Sequence, residues 1–159
     1  LIDLNNIKLV EMLGNSSLQL TEYLSITPFQ VPHRNEFSET VGYKIQSLEK
    51  SLIYISDIDS WETAEFDIND VIMNNNILLL DGTFYSNLDL QSRRITDVRH
   101  PYIEESIKKF SLLDAVDKKK VNFTHLNHTN NVLREDSDER KDVIKQGFQI
   151  AFDGMKISI

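Results

Sequence analysis

The apolar and polar residues of the first part of the chain follow the pattern of a strand-rich structure. Short runs of β-branched and aromatic residues alternate with turn-forming Asn, Gly and Pro, which predicts strands separated by turns. The predicted strands are Ile7–Leu13, Leu24–Val31, Val41–Gln46 and Leu52–Ser56. We therefore expect the first part of the chain to be rich in β-strands.

Beyond these strands the pattern alternates between helix and strand. Asp67 is a suitable N-cap for a short helix that ends near Met73. The helix leads into Ile77–Leu80, an uninterrupted apolar run that predicts a strand buried on both faces. Val121–Thr124 predicts another strand. This alternation is typical of a layered α/β unit.

Two further helices and a terminal hairpin complete the prediction. One helix is expected from Pro101 to about Leu113, and another behind an N-cap at Ser137. A hairpin is expected from Phe148–Phe152 and Met155–Ile159, around Asp153-Gly154. The whole chain is thus predicted to be one α/β (α+β) unit.

Composition narrows the classes of function. The chain has 159 residues, 40% of them hydrophobic, which suits one domain or a large piece of one. A net charge of −8 argues against a nucleic-acid partner or an anionic membrane surface. The absence of cysteine excludes disulfides and thiolate metal sites and leaves His, Asp and Glu as metal ligands. No apolar run approaches the roughly 20 residues that span a bilayer, and no signal peptide is visible, so we expect a cytoplasmic protein.

Polar residues that can bind metals follow the predicted strands. His33, Asp57, Asp59, Asp81 and His125 each lie at or just beyond the end of one. Such residues converge at one sheet edge, where α/β proteins bind ligands. Imidazole together with carboxylate suits zinc, iron or manganese. The spacing alone leaves open whether a metal is bound at all.

Two of these segments resemble metallo-β-lactamase-fold proteins. The segment 31–43, with His33 ahead of Gly42-Tyr43, is similar to their third metal-ligand segment. Ile53–Asp57 is similar to their fourth, a strand ending in an aspartate that can bridge two metals. Further motifs resemble the pyrroloquinoline-quinone biosynthesis protein B (PqqB) branch, and they are Asp81–Phe84, Thr124–Asn130 and Ala151–Met155.

The resemblance implies a four-layer αββα sandwich of which this chain is half. The superfamily signature HxHxDH lies upstream of the matched segments and is absent here. The chain begins with Leu, and we interpret residues 1–159 as the C-terminal part of a single domain, expected to be inactive alone. A divergent protein that has lost its metal site is the alternative. Expected partners are the missing N-terminal half, a small-molecule or peptide substrate and a second copy of the chain.

The resemblance also implies roles for individual residues. The metal ligands would be His33, Asp57 and His125, holding one or two zinc ions, with iron or manganese as other candidates. Asp59 is the alternative to Asp57, although it can also be a turn residue that bonds its own backbone. His33 can instead be a loop histidine with an ordinary hydrogen bond.

Asp81 and His100 are the candidate catalytic pair, because some phosphodiesterases of this superfamily protonate the leaving group with a carboxylate and a histidine. Alternatively, Asp81 caps a turn and His100 caps the following helix. His128 would line the substrate pocket or pack beside its neighbours. Arg93, Arg94 and Arg99 would meet an anionic substrate or be solvated, as charged loops usually are.

The function implied is a metal-dependent hydrolase that uses a metal-activated water on a small or peptide-derived substrate. The PqqB branch implies an alternative, oxidative chemistry at non-haem iron on a tyrosine-containing peptide. A non-catalytic, metal-free binding protein on the same fold is the third hypothesis.

Overall fold

The structure is a computed structural model that describes residues 6–34, 36–90 and 99–159. Its strands are β1 (Leu18–Thr21), β2 (Leu24–Val31), β3 (Thr40–Gln46), β4 (Ser51–Ile55), β5 (Ile77–Asp81), β6 (Val121–Thr124) and β7 (Gln149–Ile150). Its α-helices are α1 (Ile68–Met73), α2 (Ile103–Lys109), α3 (Ala115–Lys120) and α4 (Asp138–Lys145). Short 3₁₀ turns lie at Asn87–Leu90 and Asn131–Leu133.

All seven strands form one sheet, in which their spatial order is the same as their order in the sequence. Neighbouring strands from β1 to β4 are antiparallel. From β4 to β7 they are parallel, because a helical connection returns the chain each time to the same edge. The C-terminal ends of β2, β4, β5 and β6 consequently lie at one edge of the sheet.

One face of the sheet carries the hydrophobic core. In β4 to β6 the residues that point to this face are fully or almost fully buried, and they are Ile53, Ile55, Leu78, Leu80, Val121 and Phe123. Residues of α1, α2 and α4 belong to the same cluster, among them Ile72, Ile107 and Val143. The helices therefore pack on this face, and sheet plus helices make one half of the predicted αββα arrangement.

The helix caps confirm several local predictions. The side chain of Asp67 accepts a hydrogen bond from the Asn69 backbone at 2.8 Å, and Ser137 accepts one from Arg140 at 3.1 Å. These bonds satisfy amides that have no partner in the first helical turn. The predicted helix from Pro101 is shorter than expected, since α2 ends at Lys109.

The predicted strand Ile7–Leu13 is wrong. These residues are irregular, and Ile7, Leu9, Val10 and Leu13 are between 45% and 73% exposed. Apolar alternation makes a strand only where a neighbour offers hydrogen bonds and a face to bury. Here β1 begins further along, at Leu18, and pairs with β2.

The predicted terminal hairpin is also wrong. A turn does form at Asp153-Gly154, with a 3.1 Å bond from the Met155 amide to the Phe152 carbonyl. However, β7 pairs in parallel with β6, and residues 155–159, all of them described, form no strand.

Among the described residues, no helix is both long and apolar enough to cross a membrane.

Candidate metal centre

Four of the polar residues named from the sequence meet at the sheet edge. His33 follows β2, Asp57 follows β4, Asp81 ends β5 and His125 follows β6. Parallel neighbours end at the same edge, and β2 shares the direction of β4 because each is antiparallel to β3. The topology therefore brings residues that are distant in sequence into one cluster.

His33 lies between two aspartates. Its Nδ1 is 3.0 Å from Asp59 Oδ1, and its Nε2 is 3.9 Å from Asp57 Oδ1. The Asp59 backbone amide also donates to the Pro32 carbonyl at 2.7 Å, which fixes this loop against the end of β2. Asp59 thus contacts the imidazole with its side chain, rather than acting as an isolated turn residue.

Asp81 is wholly buried and is surrounded by donors. Its Oδ1 accepts hydrogen bonds from the Thr83 amide at 3.0 Å and the Thr83 hydroxyl at 2.7 Å. Its Oδ2 accepts one from the Ile58 amide at 3.2 Å and lies 2.8 Å from His100 Nδ1. Asp81 therefore does cap a turn through Thr83, and it contacts His100 as well.

His100 is bonded to a buried carboxylate and has a raised pKa. Burial disfavours the charged imidazolium and lowers the pKa. The hydrogen bond and negative charge of Asp81, with a smaller contribution from Asp57, outweigh burial, so the pKa of His100 lies above its ordinary value. The N-cap of α2 is Tyr102, so His100 does not cap that helix.

His125 approaches the cluster from the end of β6. Its Nδ1 is 3.7 Å from Asp57 Oδ1 and 3.1 Å from the hydroxyl of Thr83. Its backbone has a φ of 58°, in the left-handed region that non-glycine residues rarely adopt. Strained backbone of this kind persists where surrounding contacts hold it, often at functional sites.

These side chains fit the coordination of a transition metal. Two ligands that are each about 2.0–2.2 Å from a zinc ion are at most about 4.4 Å apart. The contact of Asp57 Oδ1 with His33 Nε2, at 3.9 Å, falls within that limit. Nδ1 of His125 is as near to Asp57 Oδ1 but also contacts the Thr83 hydroxyl, so Nε2 is the nitrogen that His125 would offer to a metal. One ligand atom each from His33, Asp57 and His100 lie within 4.8 Å of one another, whereas His33, Asp57 and His125 do not form such a group. His100 is therefore as near to His33 and Asp57 as a further metal ligand would be.

A cavity of about 630 Å³ lies beside the cluster, between β6, β7 and α4. His125 and His128 line it together with Arg140. His128 is exposed, so it is available to a molecule in this cavity. Its assignment to substrate binding stays a prediction.

The arginine cluster lies mostly outside the described residues, since Arg93 and Arg94 belong to the segment 91–98. Arg99 is described, is about half exposed and lies 3.8 Å from Glu36. That exposure agrees with a solvated charge.

The sequence analysis did not identify Thr83 as a site residue, because it treated Thr83 only as part of a turn after Asp81. The position of Thr83 within the Asp81–Phe84 motif could have indicated its role.

Curated relatives support the resemblance to PqqB. The chain is 30% identical over 145 residues to coenzyme PQQ synthesis protein B of Methylobacillus flagellatus, covering 84% of this chain and 46% of that protein. It is 32% identical over 88 residues to the protein of the same name from Cupriavidus taiwanensis, covering 52% of this chain and 29% of that one. The chain thus spans less than half the length of these relatives. No protein-family model matches it.

Two solved structures resemble the fold. Zn²⁺-bound PqqB from Methylobacterium extorquens superposes with a TM-score of 0.75 at 28% identity, over 92% of this chain and 54% of that one. The metallo-β-lactamase fold protein YhfI from Bacillus subtilis superposes with a TM-score of 0.54 at 15% identity, over 89% of this chain and 51% of that one. Fold and comparisons together define a metallo-β-lactamase-fold protein.

Within that superfamily the chain is PqqB-like. The shares of the relatives that it covers fit the predicted C-terminal half.

Proposed function

We propose that this chain is the metal-binding C-terminal half of a PqqB-like enzyme of coenzyme PQQ biosynthesis, located in the cytoplasm. The proposed reaction is hydrolysis of a small or peptide-derived substrate. One or two zinc ions are the proposed cofactor, with iron or manganese as alternatives that the same ligands fit. The proposed ligands are His33, Asp57 and His125.

The observation that carries the proposal is the convergence of two imidazoles on one aspartate. Nε2 of His33 and Nδ1 of His125 lie 3.9 Å and 3.7 Å from the same oxygen of Asp57, so the three side chains meet at one place, where His125 would coordinate through its Nε2. A single His–Asp contact is common in proteins. Two imidazoles and one carboxylate that meet from three strand ends are instead the donor set of a zinc or iron site. The name of the solved PqqB structure adds independent support, because that protein binds Zn²⁺.

Asp81 and His100 are the proposed catalytic pair. A metal ion held by the proposed ligands would supply a water of lowered pKa as nucleophile. Asp81 holds His100 through Nδ1, so that Nε2 is the nitrogen left to exchange a proton with the substrate. The raised pKa of His100 suits a group that donates a proton to a leaving atom. The proposed role of His128 is to contact the substrate in the adjoining cavity.

A second candidate function is hydroxylation at non-haem iron. It is the chemistry that the resemblance to the PqqB branch implies, and the relatives carry the name coenzyme PQQ synthesis protein B. Two histidines and one carboxylate are the ligands of many non-haem iron oxygenases. The third candidate is a metal-free binding protein with the same fold. The missing N-terminal half is the proposed partner of this chain in all three cases, with a second copy as the alternative.

Metal analysis of the full-length protein tests the proposal. We expect near-stoichiometric zinc and hydrolysis without oxygen, whereas iron with oxygen consumption would favour hydroxylation. Protein that purifies metal-free and cannot be loaded would support the binding-protein hypothesis and overturn the enzyme. His33→Ala should lose the metal, while Glu39→Ala, an exposed carboxylate in the same loop, should retain it.

A further inference from the structure

We propose that the hydroxyl group of Thr83 is a positioning group for His125, which it connects to the buried carboxylate of Asp81. Through this connection one aspartate orients two imidazoles, His100 directly and His125 by way of Thr83. The consequence for the metal centre rests on the proposed function, because it takes His125 as a ligand. The connection itself follows from geometry alone.

The direction of each hydrogen bond follows from what the groups can donate. A carboxylate only accepts, so the Thr83 hydroxyl, 2.7 Å from Asp81 Oδ1, donates its single proton there. The hydroxyl oxygen then has only lone pairs to offer its other neighbours. His125 Nδ1, 3.1 Å away, must therefore carry the proton and donate to Thr83.

This chain of bonds fixes the tautomer of His125. A neutral imidazole has one N–H, so a proton on Nδ1 leaves the lone pair on Nε2. The nearness of Asp57 Oδ1, 3.7 Å from the same Nδ1, favours the same tautomer. Metal-binding histidines commonly donate their second N–H to a carboxylate or another acceptor, which orients the ring and raises its basicity. Here the acceptor would be a hydroxyl polarised by a buried carboxylate.

The fold holds Thr83 in place for this task. The Gly82 amide donates to the Thr124 carbonyl at 2.9 Å, and the Asn127 amide donates to the Thr83 carbonyl at 3.0 Å. These two bonds bracket His125 between them in sequence. Thr83 is only 5% exposed, so water competes little for its hydroxyl. The Asn130 side chain also donates to the carbonyl groups of Gly82 and Thr83.

The tautomer of His125 can be measured in metal-free protein. Two-bond ¹⁵N–¹H correlation spectra of the histidine rings, recorded where the rings are neutral, distinguish Nδ1–H from Nε2–H. The His125 signals are assigned by their loss in His125→Gln. We expect the Nδ1–H form in the wild-type protein, and an Nε2–H form would overturn the proposal.

Two substitutions separate the hydroxyl from the shape of the residue. Thr83→Val keeps the volume but removes the hydroxyl, and it should shift His125 toward the Nε2–H form that dominates in free imidazole side chains. Thr83→Ser keeps the hydroxyl and should restore the wild-type spectrum. A Thr83→Val spectrum identical to wild type would contradict the proposal, even if Thr83→Val were less stable.

Metal affinity distinguishes this inference from the proposed function. Competition with a chromophoric chelator should show roughly 10- to 100-fold weaker zinc binding in Thr83→Val, and near wild-type binding in Thr83→Ser. If His125 has the Nδ1–H tautomer but the protein binds no metal, Thr83 still orients His125 as proposed, and the proposed metal-dependent enzyme is refuted. Unchanged zinc affinity in Thr83→Val would refute the role of Thr83 toward the metal.

Discussion

At the scale of single residues, the buried carboxylate of Asp81 holds more of the site together than any of the proposed ligands. It is fully buried and contacts Ile58, Thr83 and His100. A buried charge is tolerated only where hydrogen bonds replace the lost water. The four contacts at its two oxygens provide that replacement, and they make Asp81 the common support for loops that follow β4 and β5.

Replacing Asp81 should change the titration of His100. In Asp81→Asn the negative charge is lost but the burial remains, and burial lowers the pKa of an imidazole. We therefore expect the pKa of His100 to be lower in Asp81→Asn than in the wild-type protein. NMR titration of the ring protons in metal-free protein measures this change. A pKa that does not fall would show that Asp81 is not the cause of the shift.

The two aspartates beside His33 should differ in their effect on metal binding. Asp57 faces both His33 and His125, whereas the contact of the Asp59 carboxylate among the described residues is with Nδ1 of His33. Asp59→Asn keeps a hydrogen-bond acceptor at that nitrogen and should weaken zinc binding by about 10-fold or less. Asp57→Asn removes a ligand charge and should weaken it far more. Equal losses of zinc affinity in the two variants, or a larger loss in Asp59→Asn, would contradict the assignment of Asp57 as the metal ligand.

At the scale of elements, the site depends on how closely β5 and β6 approach at their ends. A Cβ atom on Gly82 would lie 2.9 Å from Phe123 Cβ and 3.1 Å from the Thr124 carbonyl oxygen. Gly82→Ala should therefore cost about 1–3 kcal/mol of unfolding free energy, as overpacking does. Gly14→Ala is the control, because a Cβ atom there meets nothing within 4 Å. Equal urea unfolding midpoints for Gly82→Ala and Gly14→Ala would contradict the close approach of β5 and β6.

Most helices and strands were predicted correctly because their signals lie within their own residues. Apolar runs such as Ile77–Leu80 and N-caps such as Asp67 and Ser137 can be recognised directly in the sequence. Ile7–Leu13 failed because a strand also requires a partner, and the sequence does not show where β1 begins. The terminal hairpin failed for a related reason, since β7 found its partner in β6.

The candidate site was predicted as a set of residues but not as a network. Strand ends and motifs indicated His33, Asp57, Asp81 and His125 because residues at one sheet edge can be recognised from their position. The hydroxyl contact between Thr83 and His125 joins residues 42 positions apart, and no spacing encodes it. The pairing of Asp81 with His100 was expected from the family resemblance, whereas the approach of His100 to His33 and Asp57 was not.

At the scale of the whole molecule, the sheet has a second face that the helices of the described residues do not cover. Opposite the core, neighbouring strands align Tyr43, Tyr54 and Leu79, all of them half-buried. Ile45 and Ile77 are half-buried on the same face, in register with the better buried Leu52. Exposed apolar surface costs about 25 cal/mol per Å² relative to burial, so we expect another layer to cover this face.

The covering layer should come from the rest of the same protein or from a second copy. We therefore expect the purified protein to contain additional chain or to associate, as judged by intact mass and sedimentation. A monomer of 18.4 kDa that is soluble and unfolds cooperatively would contradict this prediction. Such a result would mean that the uncovered face is stable in water by itself.

The most direct test of the metal centre is the position of the ion itself. Crystals of the zinc-loaded protein, with diffraction recorded on both sides of the zinc absorption edge, locate the ion by its anomalous signal. We expect a peak about 2.0–2.2 Å from atoms of His33, Asp57 and His125. Zinc-soaked crystals with no peak there, or with the peak elsewhere on the chain, would contradict it.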